Sequence, residues 1–143
     1  MSDPDSRAAH NALVFERFDM TGIATVRHKV AHCAESTGLD AESLDDFVLA
    51  VNELVTNAVR HGGGQGWLRL WRDGERLVCE VSDQGAGITD GASNGRDKPA
   101  PHVAGGWGMW LARELSETMI VITGPDGTTV RISMVVPDPP VVQ

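Results

Sequence analysis

Positive charge is scarce in this sequence: twelve Lys and Arg stand against twenty Asp and Glu, a net charge of −8. Such a balance repels a phosphate backbone and argues against nucleic acid as a partner. Long apolar runs are missing too. None approaches the roughly 20 residues needed to cross a bilayer, so no membrane partner is expected. Met1-Ser2-Asp3-Pro4-Asp5 lacks the basic start and apolar core of a signal peptide, which points to a cytoplasmic protein. Cysteine is limited to Cys33 and Cys79, which form neither a CxxC pair nor a metal cluster. Both are expected to be reduced packing residues.

What is present is the material of one globular domain: 143 residues, 41% of them hydrophobic, enough to bury a sizeable core. Residues 1–10 are polar and without period and read as a flexible tail, residues 11–136 as the domain, and 137–143 as a Pro-rich tail that cannot extend a sheet. A first strand is expected over 11–19, from Leu13, Val14, Phe15 and Phe18. A helix follows over 21–37, capped by Asp19 or Thr21 and stopped by Gly38. His28 and His32 stand four apart within it, like a helical metal pair, but no third ligand accompanies them.

A second helix is expected from Asp40 to about His61. Leu44, Phe47, Val48, Val51, Val55 and Ala58 recur there at steps of three and four, the mark of one apolar stripe. Gly62-Gly63-Gly64 ends it. Trp67–Arg72 and Arg76–Ser82 alternate about Asp73-Gly74-Glu75, a hairpin signal that turns Leu68, Leu70, Leu77, Cys79 and Val81 to one face. Residues 84–106 form a long Gly-rich loop of the length that lids have. A third helix over 107–118 and two strands over 119–123 and 128–136 complete the chain. Helices set against a mostly antiparallel sheet predict an α+β fold, a two-layer sandwich.

Three short motifs carry chemistry. Glu53 and Asn57, one helical turn apart on the side away from the apolar stripe, put a carboxylate and a carboxamide on one face. The first can take a proton from a hydroxyl and the second can hold a hard cation. In Val81-Ser82-Asp83-Gln84-Gly85-Ala86-Gly87-Ile88 a strand-end carboxylate can accept from an exocyclic amine, while glycines admit a flat ring, as adenine requires. Gly105-Gly106-Trp107-Gly108-Met109 opens a helix whose free amides suit phosphate. It is neither a P-loop nor a Rossmann fingerprint. Taken singly, each has a plain alternative: a solvated helix face, a strand-to-loop turn, a hinge.

In this order, with a lid-like loop between the second and third, the motifs resemble those of the GHKL ATPases, which include gyrase, mismatch-repair and histidine-kinase ATP-binding domains. Glu53 to His61 is similar to their N box, Asp83 to Gly87 to their first glycine box, and Gly105 to Gly108 to their second. Thr128 matches a threonine that helps hold adenine. Glu-Leu-Val-Thr-Asn-Ala-Val-Arg-His-Gly most resembles the RsbW-like anti-sigma-factor serine/threonine kinases, and the likeness spans roughly 13–135. Trp107 departs from the smaller or polar residue expected at its place.

The resemblance implies a Bergerat-type fold with three helices on one sheet face. It implies ATP and Mg²⁺ as cofactors, Glu53 as the catalytic base, and Asn57 as the metal-binding residue. Nucleotide would be held by Asn57, His61, Asp83, Gly85, Gly87, Ile88, Gly105, Gly106, Trp107, Gly108, Met109 and Thr128, with Arg96 and Lys98 of the lid near the phosphates. Its implied activity is that of an anti-sigma factor that phosphorylates a STAS-type anti-anti-sigma protein and sequesters a sigma factor, and a homodimer is compatible with it. An intact histidine kinase or a topoisomerase is not expected. The alternatives are a nucleotide-dependent protein-binding module that transfers nothing and a general ATPase.

Overall fold

The computed structural model describes residues 12–87, 98 and 106–137. Of the expected features, the tail over 1–10, the last six residues of the Pro-rich tail, and Ile88, Arg96 and Gly105 lie outside the described residues.

Strand β1 (Val14–Asp19) runs through a 3-10 turn (Met20–Gly22) into helix α1 (Ile23–Ser36). Helix α2 (Ala41–His61), strands β2 (Gln65–Asp73) and β3 (Arg76–Asp83), helix α3 (Trp107–Leu115), and strands β4 (Thr118–Gly124) and β5 (Gly127–Val135) follow. The strands form one sheet in the order β1-β2-β3-β5-β4, and every pairing is antiparallel. All three helices pack on one side of it, completing the expected α+β two-layer sandwich.

The element boundaries differ from expectation for local reasons. Asp19 caps the 3-10 turn rather than α1, accepting from the Thr21 N–H at 2.8 Å and from the Thr21 hydroxyl at 2.6 Å. Those bonds hold its carboxyl below the usual range. Helix α1 therefore begins two residues late. Helix α3 stops at Leu115 instead of reaching Thr118, because Ser116 is extended (φ −110°, ψ 153°) and Thr118 already pairs with Ser133. Strand β3, expected over Arg76–Ser82, runs one residue further, so that the strand-end Asp83 is its last residue, in register with Thr128.

Helix α2 is the axis of the helical layer. Asp40 starts it by accepting from the Ser43 N–H at 2.7 Å, a side-chain cap for one otherwise unsatisfied donor. Phe47, Val51, Val55 and Ala58 of the expected stripe are buried, while Leu44 and Val48 are half-buried. Ala50, Leu54 and Val59 are buried as well. The apolar arc is wider than one stripe because α2 touches the sheet below and a helix on each side. From the sheet, Leu68, Leu70, Leu77, Cys79 and Val81 all enter the core on one face, as alternation along the strands requires. Both cysteines are free thiols, Cys33 half-buried and Cys79 buried.

On the opposite sheet face Glu80 is 3% exposed. It accepts from Arg69 on one neighbouring strand and, at 2.6 Å, from Arg131 on the other. A carboxylate so enclosed requires counter-charges to offset its lost hydration.

Candidate functional site

The polar face of α2 does not look into solvent. Glu53 and Asn57 are both half-buried and face the first turn of α3. A Cβ at Gly108 would lie 2.7 Å from Glu53 Oε2 and 3.7 Å from Asn57 Oδ1. The two oxygens therefore both approach Gly108, and the lack of a side chain there lets Glu53 come close. The start of α3 also carries the positive end of a helix dipole, where a carboxylate is favoured. Gly106, the residue before α3, has φ 86°, a conformation that glycine adopts without strain. The Trp110 N–H closes the first turn on the Gly106 carbonyl at 3.1 Å, and the amides of residues 107–109 precede that bond at the helix start.

At the other end, α2 finishes on Gly62, whose N–H donates to the Ala58 carbonyl at 2.9 Å. Here helix and sheet meet with nothing between them. A Cβ on Gly62 would stand 2.3 Å from Asp83 Cγ and 2.4 Å from Asp83 Oδ2, and one on Gly85 would stand 2.7 Å from the Gly62 Cα and 3.0 Å from the His61 carbonyl oxygen. Asp83 itself is held firmly. Its Oδ1 accepts from the Gly85 N–H at 3.0 Å and the Thr128 N–H at 3.2 Å. Thr128 is buried and shares a 2.8 Å hydroxyl contact with Thr123 across the β4–β5 ladder.

The site residues expected from the sequence thus fall into two groups on one helix. Glu53, Asn57 and Gly108 meet at the middle of α2. Asp83, Gly85, Thr128 and the main chain of His61 meet at its end, while the His61 side chain is exposed. Gly87 packs on the Gly124 carbonyl, where a Cβ would lie only 2.2 Å away. Trp107 packs edge-on against Trp110, with ring centroids 6.0 Å apart, and Met109 is buried in the core. Lys98 stands 5.3 Å over the Trp110 ring, a cation–π distance. Ile88 and Gly105 lie outside the described residues.

Two contributors went unassigned in the sequence. Gly62 was read only as the helix stop. Thr123 was readable, since a tight turn over 124–127 dictates the register that sets it opposite Thr128. No group of three or more His, Cys, Asp or Glu able to hold a metal exists among the described residues; His28 and His32 are both exposed on α1. The carboxamide oxygen of Asn57 is a hard donor of the kind that suits a magnesium ion.

The profile of the histidine kinase-like ATPase domain matches residues 17–134. The chain belongs to that family. No curated protein matches it, but solved structures do. The RsbU and RsbW domains of Rv1364c from Mycobacterium tuberculosis superpose with a TM-score of 0.60 at 20% identity, covering 85% of this chain and 31% of that one. The histidine kinase domain of the Erythrobacter litoralis EL346 blue-light activated histidine kinase gives 0.52 at 22%, covering 80% and 63%. The Acinetobacter baumannii histidine kinase AdeS gives 0.53 at 16%, covering 93% and 74%. These likenesses show the GHKL fold. The chain spans less than a third of the Rv1364c chain. Membership of the histidine kinase-like ATPases implies ATP as ligand. The Asp83 carboxylate stands at the end of α2, and the Glu53 and Asn57 oxygens stand nearer its middle, beside the start of α3. No helix among the described residues is long and apolar enough to cross a membrane.

Proposed function

We propose that this histidine kinase-like ATPase domain is an anti-sigma factor with protein serine/threonine kinase activity, phosphorylating a STAS-type anti-anti-sigma antagonist and sequestering a sigma factor. The observation that carries the reading is the convergence of Glu53 Oε2 and Asn57 Oδ1 on the first turn of α3. A module that only holds nucleotide has no use for a carboxylate at that point.

In this reading Asp83 accepts from the exocyclic amine of adenine through the oxygen turned towards Gly62, its other oxygen being committed to the Gly85 and Thr128 amides. Thr128 lines the base. The amides after Gly106 meet the phosphates. Glu53 accepts the proton of the attacking serine or threonine hydroxyl as its oxygen bonds the γ-phosphorus. The bond from that phosphorus to the bridging oxygen breaks, and ADP leaves with the electron pair. Glu53 and the phosphates are both negative, so they need a cation between them. Asn57 is the residue placed to bind Mg²⁺, which lowers the charge on the phosphates when bound.

The test is incubation with labelled ATP and candidate antagonists, followed by location of phosphoserine or phosphothreonine. Glu53→Gln should bind ATP as the parent does and transfer at least about a hundredfold more slowly, the usual range for a general base. Transfer at the parental rate would remove Glu53 from the mechanism. Absence of transfer to any antagonist by the parent, with nucleotide-dependent partner binding intact, would establish the binding module instead.

A further inference from the structure

The sheet gives one face to the helices, and no described residue covers the other. Its edges are apolar: Phe15 on β1 is 55% exposed, and Ile120 and Ile122 on β4 are 53% and 67% exposed. Between them lie the half-buried Trp67 and Trp71. The guanidinium groups of Arg69 and Arg131 stand 6.0 and 5.2 Å from the Trp71 ring while both also bond Glu80. That carboxylate is therefore answered inside the chain. Arg17 and Arg76, exposed on the same face, donate instead to neutral acceptors, the Gln65 carboxamide and, at 3.1 Å, the Ser133 hydroxyl. Of the other acids on this face, Asp19 is turned into its cap and Asp73 sits at the hairpin end.

These features say what kind of occupant fits. Tryptophan and arginine in an apolar surround are the residues that dominate binding energy at interfaces. Four arginines face three acids here, although the chain as a whole has twelve basic and twenty acidic residues, so this face inverts the balance of the rest. A second copy would bring its own Arg17 and Arg76 to the contact and add like charge. The two arginines also set a length. Arg17 pairs with Trp67 and Arg76 with Asp73, and the intervening run of β2 covers about 20 Å at the rise of a strand. A helix of about 13 residues spans that distance.

We propose that the outer sheet face docks an acidic amphipathic helix of a partner protein, with carboxylates near its two ends meeting Arg17 and Arg76 and its apolar stripe lying over Trp71 and the Ile120–Ile122 edge. The proposal is independent of phosphoryl transfer.

The probe is a fluorescently labelled synthetic helix with a leucine stripe flanked by glutamates, compared by anisotropy with the same peptide carrying lysines. The full chain should bind the glutamate peptide, lose affinity as salt rises, and ignore the lysine peptide. Arg17→Glu combined with Arg76→Glu should weaken binding at least about tenfold. Ile122→Ser, at a surface position outside the core, should weaken it independently of salt. Equal affinity for the two peptides, no binding of either, or undiminished binding by the charge-reversed chain would overturn the proposal. So would a dimer in light scattering that Ile122→Ser dissociates, since a second copy would then own this face.

Discussion

Gly62→Ala adds a single methyl group at the junction of helix and sheet. The backbone there has φ −108° and ψ 28°, which alanine tolerates, so no conformational strain enters. The steric term is another matter. The new Cβ would lie 2.3 Å from Asp83 Cγ, 2.4 Å from its Oδ2 and 2.6 Å from the Ala58 carbonyl oxygen. Asp83 must rotate away, and the bonds from the Gly85 and Thr128 amides, at 3.0 and 3.2 Å, go with it. Hydrogen bonds to a charged group contribute about 1.5–3 kcal/mol each. Asp83 is partly exposed, so water replaces much of that, and the net cost to folding is about 1–3 kcal/mol. The larger loss is in recognition, because the carboxylate no longer faces the base. ATP affinity should fall about 10- to 100-fold, equivalent to roughly 1.4–2.7 kcal/mol, and the preference for ATP over GTP should collapse towards unity. Calorimetric titration with each nucleotide measures both quantities. Their ratio is insensitive to any unfolded fraction, which reduces both affinities alike, so it separates misplacement of Asp83 from loss of fold. Asp83→Asn supplies the reference loss. Parental ATP affinity and parental preference in Gly62→Ala would refute the assignment of Asp83 to the base.

Gly108→Ala places a methyl 2.7 Å from Glu53 Oε2, and that flexible side chain can swing aside, so kcat should fall about tenfold or more while ATP affinity changes less than about threefold; steady-state transfer assays check this. Asn57→Ala should abolish the gain in ATP affinity that Mg²⁺ gives the parent while leaving affinity in EDTA unchanged, read by calorimetry. Phe47→Ala empties a fully buried site in α2 and should cost about 3–5 kcal/mol by urea unfolding. Burial, and secondarily the adjacent Glu80 carboxylate, push the Cys79 thiol far above its ordinary value. The native state thus keeps a proton that the unfolded chain releases above about pH 8.5, and stability should decline as pH rises past that value. A Cys79→Ala chain, compared with the parent by denaturant unfolding at pH 7 and 10, should lack that component of the decline.

Much of the fold was legible because alternation and helical period each describe one element against one surface. Leu68, Leu70, Leu77, Cys79 and Val81 fell on the core face as the hairpin pattern required, because a strand has two sides and the Asp73-Gly74 turn fixes which residues share them. Helix α2 was read too narrowly for the opposite reason. A single stripe describes a helix lying on one surface, whereas α2 has three neighbours, and Ala50, Leu54 and Val59 are buried beyond the stripe. Boundaries slipped where a side chain acted on the main chain over two or three residues. Asp19 capped the 3-10 turn, and Ser116 bonded back to the Ala112 carbonyl at 2.7 Å as α3 ended. The site was legible as motifs but not as contacts. Glu53, Asn57 and Asp83 stood out as polar groups in helical or strand context, while Gly62 did not, because a glycine after a helix already has a sufficient explanation in the stop signal. Its second duty depends on which strand end packs there, and that is decided by tertiary structure.

One helix relates the two halves of the candidate site. Glu53 and Gly62 are nine residues apart, about 13 Å at the rise of an α-helix, with Asn57 between them. Glu53 and Asn57 meet the start of α3, and Gly62 meets Asp83, so α2 determines how far apart those two groups of residues lie. Residues Gln84–Gly87 are anchored by the Asp83 bond to the Gly85 amide and by the packing of Gly87 on Gly124, and α3 is anchored through Met109 and Ala112 in the core. Both groups are therefore held by parts of the chain that pack on the core.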